Sequence, residues 1–292
     1  MKASGSEIKK IYINDASYPD MLRSIKDSPE ILYFMGDISI ASQRAVAVIG
    51  TRKATSYGID VAYRLGQKLA ENGIVAVSGL ARGIDSSGHK GALAGGGKTI
   101  AVMGCGIDIC FPSTNVPLWR EIISKGLVLS EYPPGMPGGK FTFPKRNRII
   151  SGLSEATVVV ESGIKGGALI TAELAAEQGR DVYAVPGNID RVASFGANKL
   201  IRDGAMPLVI LDDIMEDLGV TPRQSEKVKA CLGGAEKRIY DMLLQNGEMT
   251  LEDVCVKLDL KPQSANGLIT VLEMKGYIQA AMGKVFIARS IK

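Results

Sequence analysis

From Ala45 onward the chain alternates between two patterns. Short runs apolar at nearly every position lie at Ala45–Gly50, Ile74–Gly79, Thr99–Gly104, Leu127–Glu131, Ala156–Ser162, Asp181–Gly187 and Pro207–Leu211. Most of them close on Gly, Ser or Glu. A run apolar on both faces reads as a strand buried within a parallel sheet. Between the runs lie stretches with helical spacing: Tyr57–Asn72, Ile84–Ala94, Pro117–Lys125, Pro144–Leu153, Ala168–Gln178 and Gly196–Arg202. Alternating strand and helix predicts an α/β fold, a doubly wound and mostly parallel sheet of about seven strands. Residues 44–218 would carry it, with Asp212–Leu218 as a closing helix.

The two ends follow other patterns. Residues 1–43 read as a polar, partly helical lead-in packed on the core, with a short amphipathic helix around Met21, Leu22 and Ile25 and an edge strand from Ile31 to Phe34. Residues 219–234 hold turn and coil formers and read as a linker. Residues 235–292 then give three helices and a hairpin. The first helix stops at Asn246-Gly247, Thr250 and Asp253 form a capping-box start, Pro262 opens the third, and the hairpin turns at Met282-Gly283. That order predicts a small C-terminal winged-helix domain. Its groove-reading helix would expose Gln263, Ser264, Asn266 and Lys275 beside Glu273, a weakly charged surface for DNA.

Composition narrows the chemistry. Hydrophobic residues make up 46% of 292, enough for a sizeable core, and the net charge of +4 confines any nucleic-acid surface to a local patch. Cys105, Cys110, Cys231 and Cys255 show no metal-like grouping and read as reduced thiols of a cytoplasmic protein. No apolar run is long enough to span a membrane.

In a doubly wound sheet, ligands bind beyond the carboxyl ends of the strands, where this chain places its glycines and cations. Thr51 and Arg52 follow the first strand. Gly79 and Arg82 lie in the next strand-to-helix turn, SGLARGID. Gly166 and Gly167 stand where a helix N-terminus would offer N–H groups to an anion. Asn188 and Lys199 lie in loops on the same edge. The densest candidate is KFTFPKRNR, with Lys140, Lys145, Arg146 and Arg148 around Phe141 and Phe143. Pro144 suits the first position of a helix, with Thr142 or Phe143 at its entry. Two accounts of this stretch stand open: a phosphate-chain site with a base stacked beside it, or a solvated basic face with core phenylalanines. Arg146 and Arg148 lie on the helix itself, where either could meet phosphate or pair with a core carboxylate such as Glu161.

Other chemistries find less support. Gly104-Cys105-Gly106 lacks the third glycine of a dinucleotide loop, and no GxxxxGK[ST] run is present. His89, the one histidine, has no activated nucleophile near it in sequence and reads as structural.

Taken in order, Tyr18-Pro19, GTRKATSYG, SGLARGIDSSGH, GCGIDICFPSTN, SEYPPG, FPKRNRIISGLS, VVVES, GGALITAELA, QGRDVYAVPGN and GANKLIRDGA resemble the DNA-processing protein DprA (Smf) family. The likeness runs from about Pro19 to Leu218, and the terminal winged helix is similar to the family's usual small C-terminal domain. It implies an extended Rossmann-like core that binds single-stranded DNA, forms a homodimer through that domain, protects incoming DNA and loads the recombinase RecA in natural transformation. It implies no catalysis, and the residues read above call for no cofactor and no metal. The family's DNA pocket maps onto Arg52, Lys140 and Phe143, with phosphate taken by the turn at Gly166 and Gly167. Two departures stand out. IKGGAL replaces a loop that commonly carries a serine, and Ser113 stands where some members have a basic residue.

An enzyme is the alternative. Nucleotide phosphoribohydrolases of the cytokinin-activating type share a glycine-rich helix start followed by Thr and Glu, here Thr171 and Glu173, but their full PGGxGTxxE signature is absent. A pure interaction scaffold is a third reading.

Overall fold

The alternation is realised as a nine-stranded sheet in the computed structural model, which describes residues 7–220, 232–281 and 283–287. The strands are β1 (Lys9–Tyr12), β2 (Ile31–Gly36), β3 (Ala45–Ile49), β4 (Val75–Ser78), β5 (Thr99–Met103), β6 (Leu127–Ser130), β7 (Ala156–Val159), β8 (Asp181–Ala184) and β9 (Met206–Pro207). Their order across the sheet is β1-β2-β6-β5-β4-β3-β7-β8-β9. Every pair from β6 through to β9 is parallel, and β2 runs antiparallel to both β6 and β1. Every residue of β3 to β7 is buried, as their continuous apolar runs require. Each fully buried Val, Leu or Ile in this layer contributes about 1.5–3 kcal/mol relative to exposure.

Helices join the strands: α1 (Asp20–Arg23), α2 (Ser56–Glu71), α3 (Ile84–Ala94), α4 (Val116–Lys125), α5 (Thr142–Gly152), α6 (Gly167–Glu177), α7 (Phe195–Arg202) and α8 (Asp213–Asp217). The chain runs outward from β3 through β4 and β5 to β6. It then crosses back to the other side of β3 and runs through β7 and β8 to β9. The reversal between β3 and β7 is a topological switch point, and it opens a crevice at the carboxyl ends of these strands.

Three expectations need correction. Residues 9–12 are strand rather than polar lead-in, with Ile11 buried and two lysines on an outermost strand, where charge discourages further pairing. Consequently β2 is second from the edge, not the edge. The last sheet strand is the two residues Met206–Pro207, not Pro207–Leu211, and beyond it Leu208 is buried while Val209 is 72% exposed.

The described residues divide into two units that meet in sequence at Leu211 and Asp212, so α8 groups with the second. Of the expected linker, residues 221–231 lie outside the described residues, as do Cys231 and Met282. The second unit contains α9 (Gly234–Asn246), β10 (Glu248–Thr250), α10 (Leu251–Leu258), α11 (Pro262–Met274), β11 (Ile278–Ala281) and β12 (Lys284–Ile287). The three helices and the hairpin follow the expected order. The added strand β10 pairs with β12 to make a three-stranded antiparallel sheet. Gly247 ends α9 at a φ of 76°, and Thr250 and Asp253 exchange both bonds of a capping box. Ile239, Leu243, Val254, Ile269, Leu272 and Ile278 form the core of this unit.

Candidate nucleic-acid interface

The crevice at the switch point encloses about 620 Å³. Its walls come from five places: Gly50, Thr51 and Arg52 after β3; Ala81 and Asp85 around the start of α3; Phe111 in the loop after β5; Gly139, Lys140, Phe143, Arg146 and Asn147 in and before α5; and Ser162, Gly166, Gly167 and Ala168 between β7 and α6. Three cations line it, and the one lining carboxylate, Asp85, is buried.

Arg52 is held at the mouth by the backbone on either side of it. Thr51 donates its N–H to the Glu161 carbonyl (2.8 Å) and accepts from the Ile84 N–H (3.4 Å). The Thr51 hydroxyl accepts from the Lys53 N–H (3.2 Å). Gly83 supports this turn at a φ of 79°, and a Cβ there would lie 2.4 Å from the Thr51 carbonyl oxygen. Neither Arg52 nor Lys140 makes an ion pair among the described residues, and both are exposed. The Arg52 guanidinium sits 5.7 Å from the centre of the Phe143 ring, within cation–π range.

Helix α5 begins at Thr142, whose hydroxyl accepts the Gly139 N–H at 2.8 Å, so Pro144 occupies its third position rather than its first. The missing N–H still leaves no bond broken, because the first four N–H groups of a helix have no intrahelical acceptor. Gly166 donates its N–H to the Gly163 carbonyl (3.0 Å). Gly167 and Ala168 remain as the N–H groups of the α6 start that line the crevice.

The arginines of α5 serve the interior. Arg146 is 5% exposed and donates to the carbonyls of Gly79 (3.0 Å) and Val102, tying the ends of β4 and β5 to α5. Asp85 accepts from the N–H groups of Gly79 (3.1 Å) and Ala81 (3.3 Å). Burial pushes the Asp85 carboxyl up and the Arg146 guanidinium down from their ordinary values, and each charge opposes the other's shift. Arg148 forms a two-point pair with Glu131 (2.7 and 3.1 Å) and a third bond to Asp27 (3.1 Å). Glu161 pairs with neither arginine. Its carboxylate instead accepts from the backbone and hydroxyl of Thr55, the residue that caps α2.

The crevice therefore gathers Thr51, Arg52, Lys140, Phe143, Arg146, Gly166 and Gly167. The other expected site residues stand outside its lining. Gly79 is buried with its N–H and carbonyl both bonded. Arg82 is exposed, 3.4 Å from the Thr114 hydroxyl. Lys145 is exposed and 3.7 Å from Glu131. Arg148 is buried in its ion pairs, Asn188 is exposed in the loop after β8, and Lys199 lies 3.9 Å from Asp203. Phe111, Asn147 and Ser162 line the crevice without having been singled out as binding residues. An aromatic in a loop at the carboxyl end of a strand was the available signal for Phe111. Leu80 holds a left-handed φ of 56° in the turn before α3, fully buried, with its carbonyl accepting from Asn115 Nδ2 at 2.9 Å.

His89 is fully buried, bonded through Nδ1 to Thr99 Oγ1 at 2.6 Å, and its pKa is lowered to about 3 by burial and then by Arg146. It is a neutral core residue. Glu173, the carboxylate that a phosphoribohydrolase would need beside Thr171, does not line the crevice. Among the described residues no group of three or more potential ligands could hold a metal, and no helix is long and apolar enough to cross a membrane.

A family model described as DNA recombination-mediator protein A matches residues 9–219. The chain belongs to this family. Family members that it resembles include DNA processing protein DprA of Bacillus subtilis, 42% identical over 212 residues, which cover 72% of this chain and 71% of the relative. Among solved structures, DprA from Streptococcus pneumoniae superposes with a TM-score of 0.69 at 42% identity, over 72% of this chain and 74% of that one. DNA processing protein A from Helicobacter pylori, solved to describe its single-stranded DNA binding mode, superposes with a TM-score of 0.68 at 30% identity, over 75% and 98%. The extended Rossmann-like sheet is thus the family's fold, and DNA processing in recombination is the family's field of action.

Proposed function

We propose that this chain binds single-stranded DNA and performs no chemistry on it. The carrying observation is the switch-point crevice, where Arg52 and Lys140 stand exposed, without an ion partner among the described residues, beside the α6 start and an aromatic wall, with one buried carboxylate. Phosphates would meet Arg52, Lys140 and the α6 start, and a base would lie against the aromatic wall that Phe111 and Phe143 form together. Arg146 adds positive potential from below while bracing the strand ends. Lys145, Arg82, Lys199 and Asn188 lie outside the crevice and would meet flanking nucleotides. These contacts go to phosphates and ring faces, which every nucleotide offers, so sequence preference should be low.

Support comes from the family and from the Helicobacter pylori relative that binds single strands. From the resemblance of its motifs to the family we further infer that the protein acts in the cytoplasm as a homodimer through its first unit, protects incoming strands and loads RecA on them in natural transformation. The weakly charged face of α11 suits a protein contact better than duplex DNA: Lys275 is paired with Glu236 at 2.9 Å, and Glu273 accepts from the Ala280 N–H.

The test is binding of labelled poly-dT across a salt series. A clear fall of affinity with salt is expected, and no binding at low salt would end the reading. Incubation with nucleoside monophosphates should release no free base.

A further inference from the structure

Phe143 is not a free platform. A Cβ at Gly104 would come 2.6 Å from its ring, and one at Gly138 would come 2.7 Å from it, so both glycines are pressed against the ring. The Arg52 guanidinium lies 5.7 Å from its centre, and the Phe111 ring lies 5.2 Å away at an interplanar angle of 33°. Phe143 is half-buried as a result, whereas Phe111 lines the same crevice and keeps 49% of its surface exposed. Stacking needs an open aromatic face at the mouth of a cationic site. Among the rings that line the crevice, Phe111 is the more open.

We propose that Phe111, carried by the loop after β5, is the ring on which a nucleobase stacks, with Phe143 as the fixed backing that holds Phe111 and Arg52 in register. The ligand class is a planar nucleobase whose own phosphate reaches Arg52 or Lys140. The inference rests on the single-strand reading above and assigns its aromatic contact. Because every base has an aromatic face, this contact adds affinity without selecting sequence.

The experiment compares an oligo-dT with an abasic oligonucleotide of equal length and charge, for the wild type and for F111A, F111L and F111W. The wild type should bind oligo-dT more tightly than the abasic strand. F111A and F111L should bring oligo-dT down by about tenfold, toward the abasic level, with the salt slope and the abasic affinity unchanged. F111L keeps apolar volume at the site, so a loss shared by both variants reports the ring rather than packing. F111W should retain binding, and its fluorescence should be quenched by oligo-dT but not by the abasic strand. The native Trp119 is 1% exposed and should not respond. Wild-type affinity for oligo-dT in F111A and F111L would overturn the assignment while leaving single-strand binding intact. A wild type that binds neither strand would overturn both.

Discussion

Arg52 and Arg146 are both arginines at the carboxyl ends of the same sheet, and both line the same crevice, yet they do opposite work. Arg146 is 5% exposed, bonded to two strand-end carbonyls and set against the buried Asp85. Arg52 is exposed, with its guanidinium over the face of Phe143. The same division separates Arg148, locked onto Glu131 and Asp27, from Lys140, which has no described ion partner. A run of basic residues in sequence is thus two sets in space. One set holds strand ends and helix together, and the other stands exposed with no ion partner among the described residues. The inner set would lose stability if altered, the outer set affinity.

The largest effects should come from the inner set. Arg146→Met removes the donors to the buried Gly79 and Val102 carbonyls and the charge that opposes the shift of Asp85, and should cost about 3–5 kcal/mol, read as a lower urea midpoint. Arg148→Met should cost a similar amount through Glu131, and adding Glu131→Gln should recover part of it, which a double-mutant cycle would measure. Next in size, Arg52→Ala and Lys140→Ala should shift stability by no more than about 1 kcal/mol, the cation–π contact with Phe143 included. Each should nevertheless weaken poly-dT binding and lower the salt slope by about 0.7. Arg82→Ala and Lys199→Ala, outside the crevice, should change the slope less than Arg52→Ala does. An equal or larger drop would move the strand's path away from the switch point.

The smallest effect lies in the second unit, at the start of α10. Bonds from the Thr250 N–H and hydroxyl hold the Asp253 carboxyl below its usual value of 3.8. A depressed folded value gives stability that is present above the ordinary carboxylate range and lost as the pH falls through the folded value. Hydrogen exchange of the α10 amides should therefore speed up on acidification in the wild type, and Asp253→Asn should flatten that dependence.

Much of the fold could be read from the chain because its strands are buried on both faces. AVAVI, TIAVM and LVLS have no solvent face to confuse with a helix, and the helix Ile84–Ala94 agrees with its pattern to the residue. The lead-in was less legible. Lys9–Tyr12 buries only Ile11, so its pattern carries almost no strand signal until β2 is present to pair with it. In the site, Arg52 stood out by its position after a strand, whereas Lys140 and Phe143 were separated from the rest of KFTFPKRNR only by the family resemblance. The partners of Arg146 and Arg148 were not, since Asp85, Glu131 and Asp27 lie on separate segments that only the folded sheet brings near. Phe111 escaped for a related reason: its importance follows from the rings and glycines packed around Phe143, which sequence spacing does not show.

Exposed cations at the switch point, without ion partners among the described residues, should bind the phosphates of a single strand. Fluorescence anisotropy of a labelled poly-dT, titrated at several salt concentrations with the wild type and Arg52→Ala, tests it most directly. The expected result is a linear fall of log affinity with log salt, with the variant weaker and its slope lower by about 0.7 while its urea midpoint stays near that of the wild type. A variant that binds with wild-type affinity and slope would contradict the claim.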